Sequence, residues 1–127
     1  MKTSIKKIVC NKEFLVTFLA DVCYENYWAG FGTHRDTPKD IYENAKAANE
    51  CREEVWADVL LNGGFLLVED REEDKDYKVS LKDIEKGFKK FIFDCPRNYA
   101  NIMTEEHDFY DMDNLLQTIV FGEVVYG

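Results

Sequence analysis

The chain has 127 residues, the size of one domain, and its 46% of hydrophobic residues support a core without disulfide or metal staples. Acidic residues number 25 against 16 basic ones, a net charge of −9. That balance argues against general affinity for nucleic acid, which needs clustered Lys and Arg, and against anionic membrane surfaces; it permits docking onto a basic surface that normally holds nucleic acid, with simple solubility as the alternative reading.

Ser4 to Cys10 reads as a short strand. Asn11 is a candidate N-cap for a first helix, with Phe14, Leu15, Phe18, Leu19, Val22 and Cys23 at helical spacing. That helix is expected to reach Tyr24 to Trp28, where Gly30 and Gly32 break it. After a polar loop, Thr37, Pro38 and Asp40 signal a second helix: a threonine cap, a proline in the first turn and an acid at the positive end of the dipole. It runs to Asn62-Gly63-Gly64 and is long enough that a break is expected near Asn49 to Cys51. Phe65 to Val68 and Tyr77 to Ser80 read as a hairpin with a long polar turn. Ser80 and Asp83 form a capping pattern for a third helix bearing Leu81, Ile84, Phe88, Phe91 and Ile92. Gly87 inside it costs about 1 kcal/mol relative to alanine, which a close contact from another element would justify. Cys95-Pro96 ends that helix. Arg97 to His107 reads as irregular, Asp108 or Asp111 caps a last helix through Val120, and Glu123 to Tyr126 is a short strand or a final helical turn. The expected fold is a single compact α+β domain over 1–127, with about four helices packed on a small antiparallel sheet built around the 65–80 hairpin.

No stretch carries a specific catalytic, metal or cofactor motif. Cys10, Cys23, Cys51 and Cys95 include no C-x-x-C pair. The N-terminus lacks the apolar run of a signal peptide, and no apolar stretch approaches the ~18 residues of a membrane span. The expected location is therefore the cytosol, with reduced thiols. Cys23 and Cys51 fall on apolar helical faces and are expected to be buried; pairing of either with His34 as a nucleophile is the alternative. There is no P-loop, G-x-G-x-x-G or G-x-S-x-G.

Three clusters are candidate surfaces. Glu69, Asp70, Glu72, Glu73, Asp74 and Asp76 alternate like a calcium loop, but Lys75 and Leu81 stand where such a loop needs other residues. This is a solvated turn or an acidic docking patch. Glu105, Glu106 and Asp108, with His107, Asp111 and Asp113, form a second acidic face; a metal site there would need His34 to meet His107. Tyr24, Tyr27, Trp28 and Phe31 crowd a helix end. Such aromatics stack a base or anchor a partner, unless they are core, and Arg35 and Lys39 just downstream suit a phosphate.

Asn26-Tyr27-Trp28, the Asn62-Gly63-Gly64 break before an acidic hairpin, Leu81 to Phe88 with Gly87, and above all the closing Leu115 to Gly127 segment resemble small, mostly uncharacterised proteins of tailed phages and prophages of low-GC bacteria. The resemblance implies a phage accessory protein in the cytoplasm of a bacterial host cell. Such a protein would be non-catalytic and would counter host defence by binding. Two mechanisms fit: an acidic surface blocking a defence protein such as a CRISPR effector, or an oligomer sequestering a nucleotide signal on residues 24–31 with Arg35 or Lys39. Partners are then a host protein or a nucleotide, without direct nucleic-acid binding and with a homo-oligomer allowed. The alternatives are a small metal-dependent enzyme using His34 and His107, and a self-assembling structural or replication-associated phage component.

Overall fold

The computed structural model describes residues 5–24 and 26–127. The first described element is a helix, α1 (Ile5–Val9), where a strand over Ser4 to Cys10 was expected; Ser4 itself lies outside the described residues. Ile5, Ile8 and Val9 fall at i, i+3 and i+4, so a helix turns all three onto the core while Lys6 and Lys7 face outward. Asn11 then caps α2 (Lys12–Cys23), its side chain accepting a hydrogen bond from the Phe14 amide at 3.1 Å. This helix stops at Cys23, short of Trp28.

Gly30 and Gly32, expected to be helix breakers alone, lie inside an edge strand, β1 (Ala29–Thr33). Beyond the loop, Pro38 and not Thr37 occupies the cap of α3 (Lys39–Ala48). The Thr37 hydroxyl instead accepts from the Phe65 amide (2.9 Å) and donates to the Phe65 carbonyl (3.1 Å), tying the loop to the start of the hairpin. The expected break after α3 is present, and α4 (Arg52–Leu61) follows it. Asn49 holds the bend by donating to the Ala45 carbonyl at 2.9 Å and to Asp58 at 2.6 Å.

The hairpin is longer and its turn tighter than expected. β2 (Leu66–Asp70) and β3 (Lys75–Val79) both reach into the acidic run. β2 is central, antiparallel to β1 on one side (Phe31 opposite Val68) and to β3 on the other (Leu66 opposite Val79). Ser80 and Asp83 form a reciprocal capping box at the start of α5 (Leu81–Asp94). Arg97 to Met103 is helical where irregular chain was expected. Pro96 begins α6 (Pro96–Met103), and Tyr99 and Ile102 pack onto the core. Asp108 and Asp111 form a second capping box for α7 (Phe109–Phe121), which Gly122 ends in the left-handed conformation (φ 80°). Residues 123–126 form neither strand nor helix.

The described residues thus form an α+β fold with seven helices, more than the four expected, and one three-stranded antiparallel sheet. The surplus comes from the split of α3 and α4 and from the short α1 and α6. The core lies between sheet and helices, with Phe18, Trp28, Phe88 and Phe91 its largest buried side chains. Among the described residues no helix is long and apolar enough to cross a membrane.

Candidate functional site

The aromatic segment at the end of α2 divides into an inner and an outer part. Trp28 is wholly buried, its ring 5.1 Å from that of Phe121 and 5.5 Å from that of Tyr126. Its indole donates to Asp113 at 2.9 Å, and Asn26 and Gln117 donate to the same carboxylate at 3.1 and 2.8 Å. Asn26 also accepts from the Trp28 and Ala29 amides, which bends the chain from α2 into β1. Trp28 is therefore core and leaves the expected surface. Phe31 is half-buried against Trp56. Tyr24 and Tyr27 are the outer part, 71% and 52% exposed.

Other elements bring partners to these two tyrosines. Tyr110, at the start of α7, is 67% exposed and lies against Phe109. Asp21, Tyr24, His107, Asp108 and Phe109 line a cleft of about 370 Å³ between α2 and α7. On the other side of Tyr27 the chain end folds back. Gln117 accepts from the Val125 and Tyr126 amides at 2.8 and 2.7 Å, Tyr27 donates to the Gly127 carbonyl at 3.2 Å, and Val125 is exposed beside it. Desolvation, and after it the charges of Asp113 and Glu72, raise the Tyr27 phenol above its ordinary value. The result is one end of the molecule where exposed tyrosines stand among carboxylates.

The acidic residues sort in the same way. Glu69, Glu72, Glu73, Asp74 and Asp76 are exposed on the hairpin, as are Glu105, Glu106 and Asp108 before α7. Asp70, expected on the docking patch, is instead buried. It accepts from the Tyr126 hydroxyl at 2.9 and 3.0 Å and from the Glu72 amide at 3.0 Å. Partial burial and this carboxylate push the Tyr126 phenol up to about 12. Asp111 and Asp113 are also buried. Burial disfavours the charged form of Asp111, but hydrogen bonds from Asn98, the Asp108 amide and Asn101 outweigh it and hold the carboxyl below its ordinary value.

No family model, curated protein or solved structure matches the chain. Its function is therefore read from its surfaces.

His34 and His107 lie in separate clefts lined by different residues. His107 meets Asp21 through Nε2 at 2.9 Å, and its Nδ1 is buried without a partner among the described residues. His34 accepts from the Asp36 amide at 3.0 Å. No group of three or more His, Cys, Asp or Glu side chains among the described residues is placed to hold a metal ion. Cys51, expected to be buried, is exposed at the bend before α4, where its thiol donates to Glu54 at 2.9 Å. Cys23 is half-buried, and that burial pushes its thiol up to about 12. Neither meets His34 in a hydrogen bond.

Arg35 and Lys39 lie beyond the far end of β1, in a cleft with Thr33, His34, Thr37 and Tyr42. The cleft that holds Tyr24 and the cleft that holds these two cations share no lining residue. Tyr110, Asp21 and Tyr126 are members of the tyrosine end that sequence reasoning missed. Only the closeness of the start of α7 and the last described residues to Tyr24 and Tyr27 reveals them.

Proposed function

We propose that this protein is a non-catalytic binding protein that docks its tyrosine-and-acid end onto a basic surface of a partner protein. The observation that supports this reading is the nearness of Tyr24, Tyr27 and Tyr110, all exposed, from two parts of the chain, the end of α2 with the segment after it and the start of α7, beside Asp108 and Glu72. Tyrosine offers large contact area at low entropic cost and a face for guanidinium or ammonium groups, and carboxylates supply charge-assisted hydrogen bonds to the same groups. The exposed acids of the hairpin extend the negative surface, as a run of phosphates would. The resemblance to phage accessory proteins points to a host defence protein as the partner, with its basic nucleic-acid channel as the surface filled.

The test is capture from lysate of a phage-infected host, followed by affinity measurement on the recovered protein. The triple variant Tyr24→Ser, Tyr27→Ser, Tyr110→Ser should keep the wild-type melting temperature within a few degrees. Loss of three such anchors weakens binding by roughly 100-fold or more. Wild-type affinity should fall steeply as salt rises. A folded triple variant with full affinity, or binding indifferent to salt, would refute the reading.

A further inference from the structure

The cations of this acidic chain are not spread evenly. α3 and α4 lie side by side across the end of β1 and enclose a cleft of about 530 Å³, to which α3 contributes Tyr42 and Lys46 and α4 contributes Arg52 and Trp56. Thr33 and Tyr42 line this cleft and also a second hollow of about 360 Å³ that carries Arg35 and Lys39. Arg35, Lys39, Lys46 and Arg52 therefore face two joined hollows, and the one acid among their described lining residues is Glu50. Lys39 and Arg52 pair with Glu43 at 3.8 Å and Glu53 at 3.0 Å, while Arg35 and Lys46 make no ion pair with the described residues. In a chain of net charge −9, such a lining runs against the composition.

The aromatics of the cleft come with these cations. The Lys46 ammonium lies 5.3 Å from the centre of the Tyr42 ring, and the Arg52 guanidinium 5.6 Å from that of Trp56. Trp56 is backed by Phe31 at 6.2 Å, which fixes it as a wall. Tyr42 is half-exposed between the two hollows, with a pair of cations on either side. A planar ring with anionic groups matches this arrangement: the ring gains stacking on an aromatic face and the anions gain charge-assisted hydrogen bonds from lysine and arginine.

We propose that the α3–α4 cleft binds a nucleotide, its base stacked on Tyr42 and its phosphates held by Lys46 and Arg52, with Arg35 and Lys39 reaching further phosphate charge. This site is separate from the tyrosine end and stands independently of the docking proposed there.

Cys51 supplies a local reporter. Its thiol is exposed and lines the same cleft, whereas Cys10, also exposed, does not. The test titrates ADP, GDP, CDP and UDP into the wild-type chain by calorimetry, with adenosine and sodium phosphate as controls, and follows alkylation of each cysteine by N-ethylmaleimide. At least one nucleoside diphosphate should bind saturably and slow alkylation of Cys51 at least tenfold without affecting Cys10. Lys46→Gln with Arg52→Gln should weaken that binding at least tenfold at an unchanged ligand-free melting temperature, and Tyr42→Leu should weaken it while leaving any phosphate binding alone. Absence of saturable binding by all four at millimolar concentration would overturn the proposal. So would phosphate binding as tightly as the diphosphates, or a Tyr42→Leu variant of full affinity. The tyrosine triple variant should bind the nucleotide normally.

Discussion

A methyl group at Gly87 would force two packed helices apart. A Cβ built there stands 2.6 Å from both Cα and Cγ1 of Ile119, on α7. Carbon atoms pack best at about 3.5–4.0 Å, so α7 must retreat by about 1 Å. Because one of the clashing atoms is backbone, no rotamer change of Ile119 relieves it. The retreat loosens Ile84, Phe88, Leu115 and Leu116, all buried around the contact. Overpacking of this kind costs about 1–3 kcal/mol, and a backbone clash belongs at the upper end. Alanine returns about 1 kcal/mol of helix propensity. Gly87→Ala should therefore destabilise by about 1–2 kcal/mol, whereas at an open helical site it would stabilise. In urea unfolding this appears as a midpoint lowered by roughly 0.5–1 M at unchanged slope. Adding Ile119→Ala removes the Cγ1 clash but leaves Cα in place, so the double variant should recover only part of the coupling. A Gly87→Ala protein as stable as wild type would refute the close approach of α5 and α7.

Leu116→Ala should cost about 2–5 kcal/mol in denaturant melts, since Leu116 is buried on the inner face of α7; a loss below ~1 kcal/mol would mean that α7 does not carry the core. Trp28→Phe keeps an aromatic ring but withdraws the indole donor from the buried Asp113. It should cost about 1–3 kcal/mol by denaturant melts, and a neutral result would remove Asp113 from the fold's supports. Stability should also fall with rising pH. Cys23 and Tyr126 both hold their protons to about 12 in the folded chain. The unfolded chain releases them nearer ~8.5 and ~10, so the folded state binds more protons between about pH 9 and 12 and loses stability across that window. Melting temperatures at stepped pH should decline there, and Cys23→Ala with Tyr126→Phe should flatten the decline; an unchanged slope would refute these assignments.

The elements legible in the sequence are those whose apolar period runs for several turns and whose ends carry a cap. α2, α5 and α7 have both, and Ser80 with Asp83 and Asp108 with Asp111 close as capping boxes. α1 has too few residues to separate a period of 3.6 from one of 2, so Ile5, Ile8 and Val9 read equally as a poor strand. β1 contains two glycines and has little strand propensity; its conformation is imposed by pairing with β2. Cys51 stands in the bend itself, as the residue that precedes α4, so no helical face carries it inward and its thiol is exposed.

Burial of polar groups was harder to read, and the candidate sites depend on it. Trp28 and Tyr27 are neighbours of similar chemistry, and what separates them is Asp113 on α7, which receives the indole hydrogen bond. In sequence Asp113 looks like one more acid of an acidic cluster. Asp70 likewise looks like part of an exposed run until Tyr126, from the chain end, donates to it. Three carboxylates, Asp70, Asp111 and Asp113, are thus withdrawn from the surface that composition assigns to them. The same averaging hides the cations. Arg35, Lys39, Lys46 and Arg52 are spread over two helices and a loop with acids between them, and only the folding of α3 against α4 turns them toward shared hollows. A net charge of −9 is therefore a sum over surfaces of opposite character. It predicts repulsion from a long polyanion, which must meet the whole field, and leaves open a small anion that meets only one cleft lined by cations within a Debye length of about 10 Å.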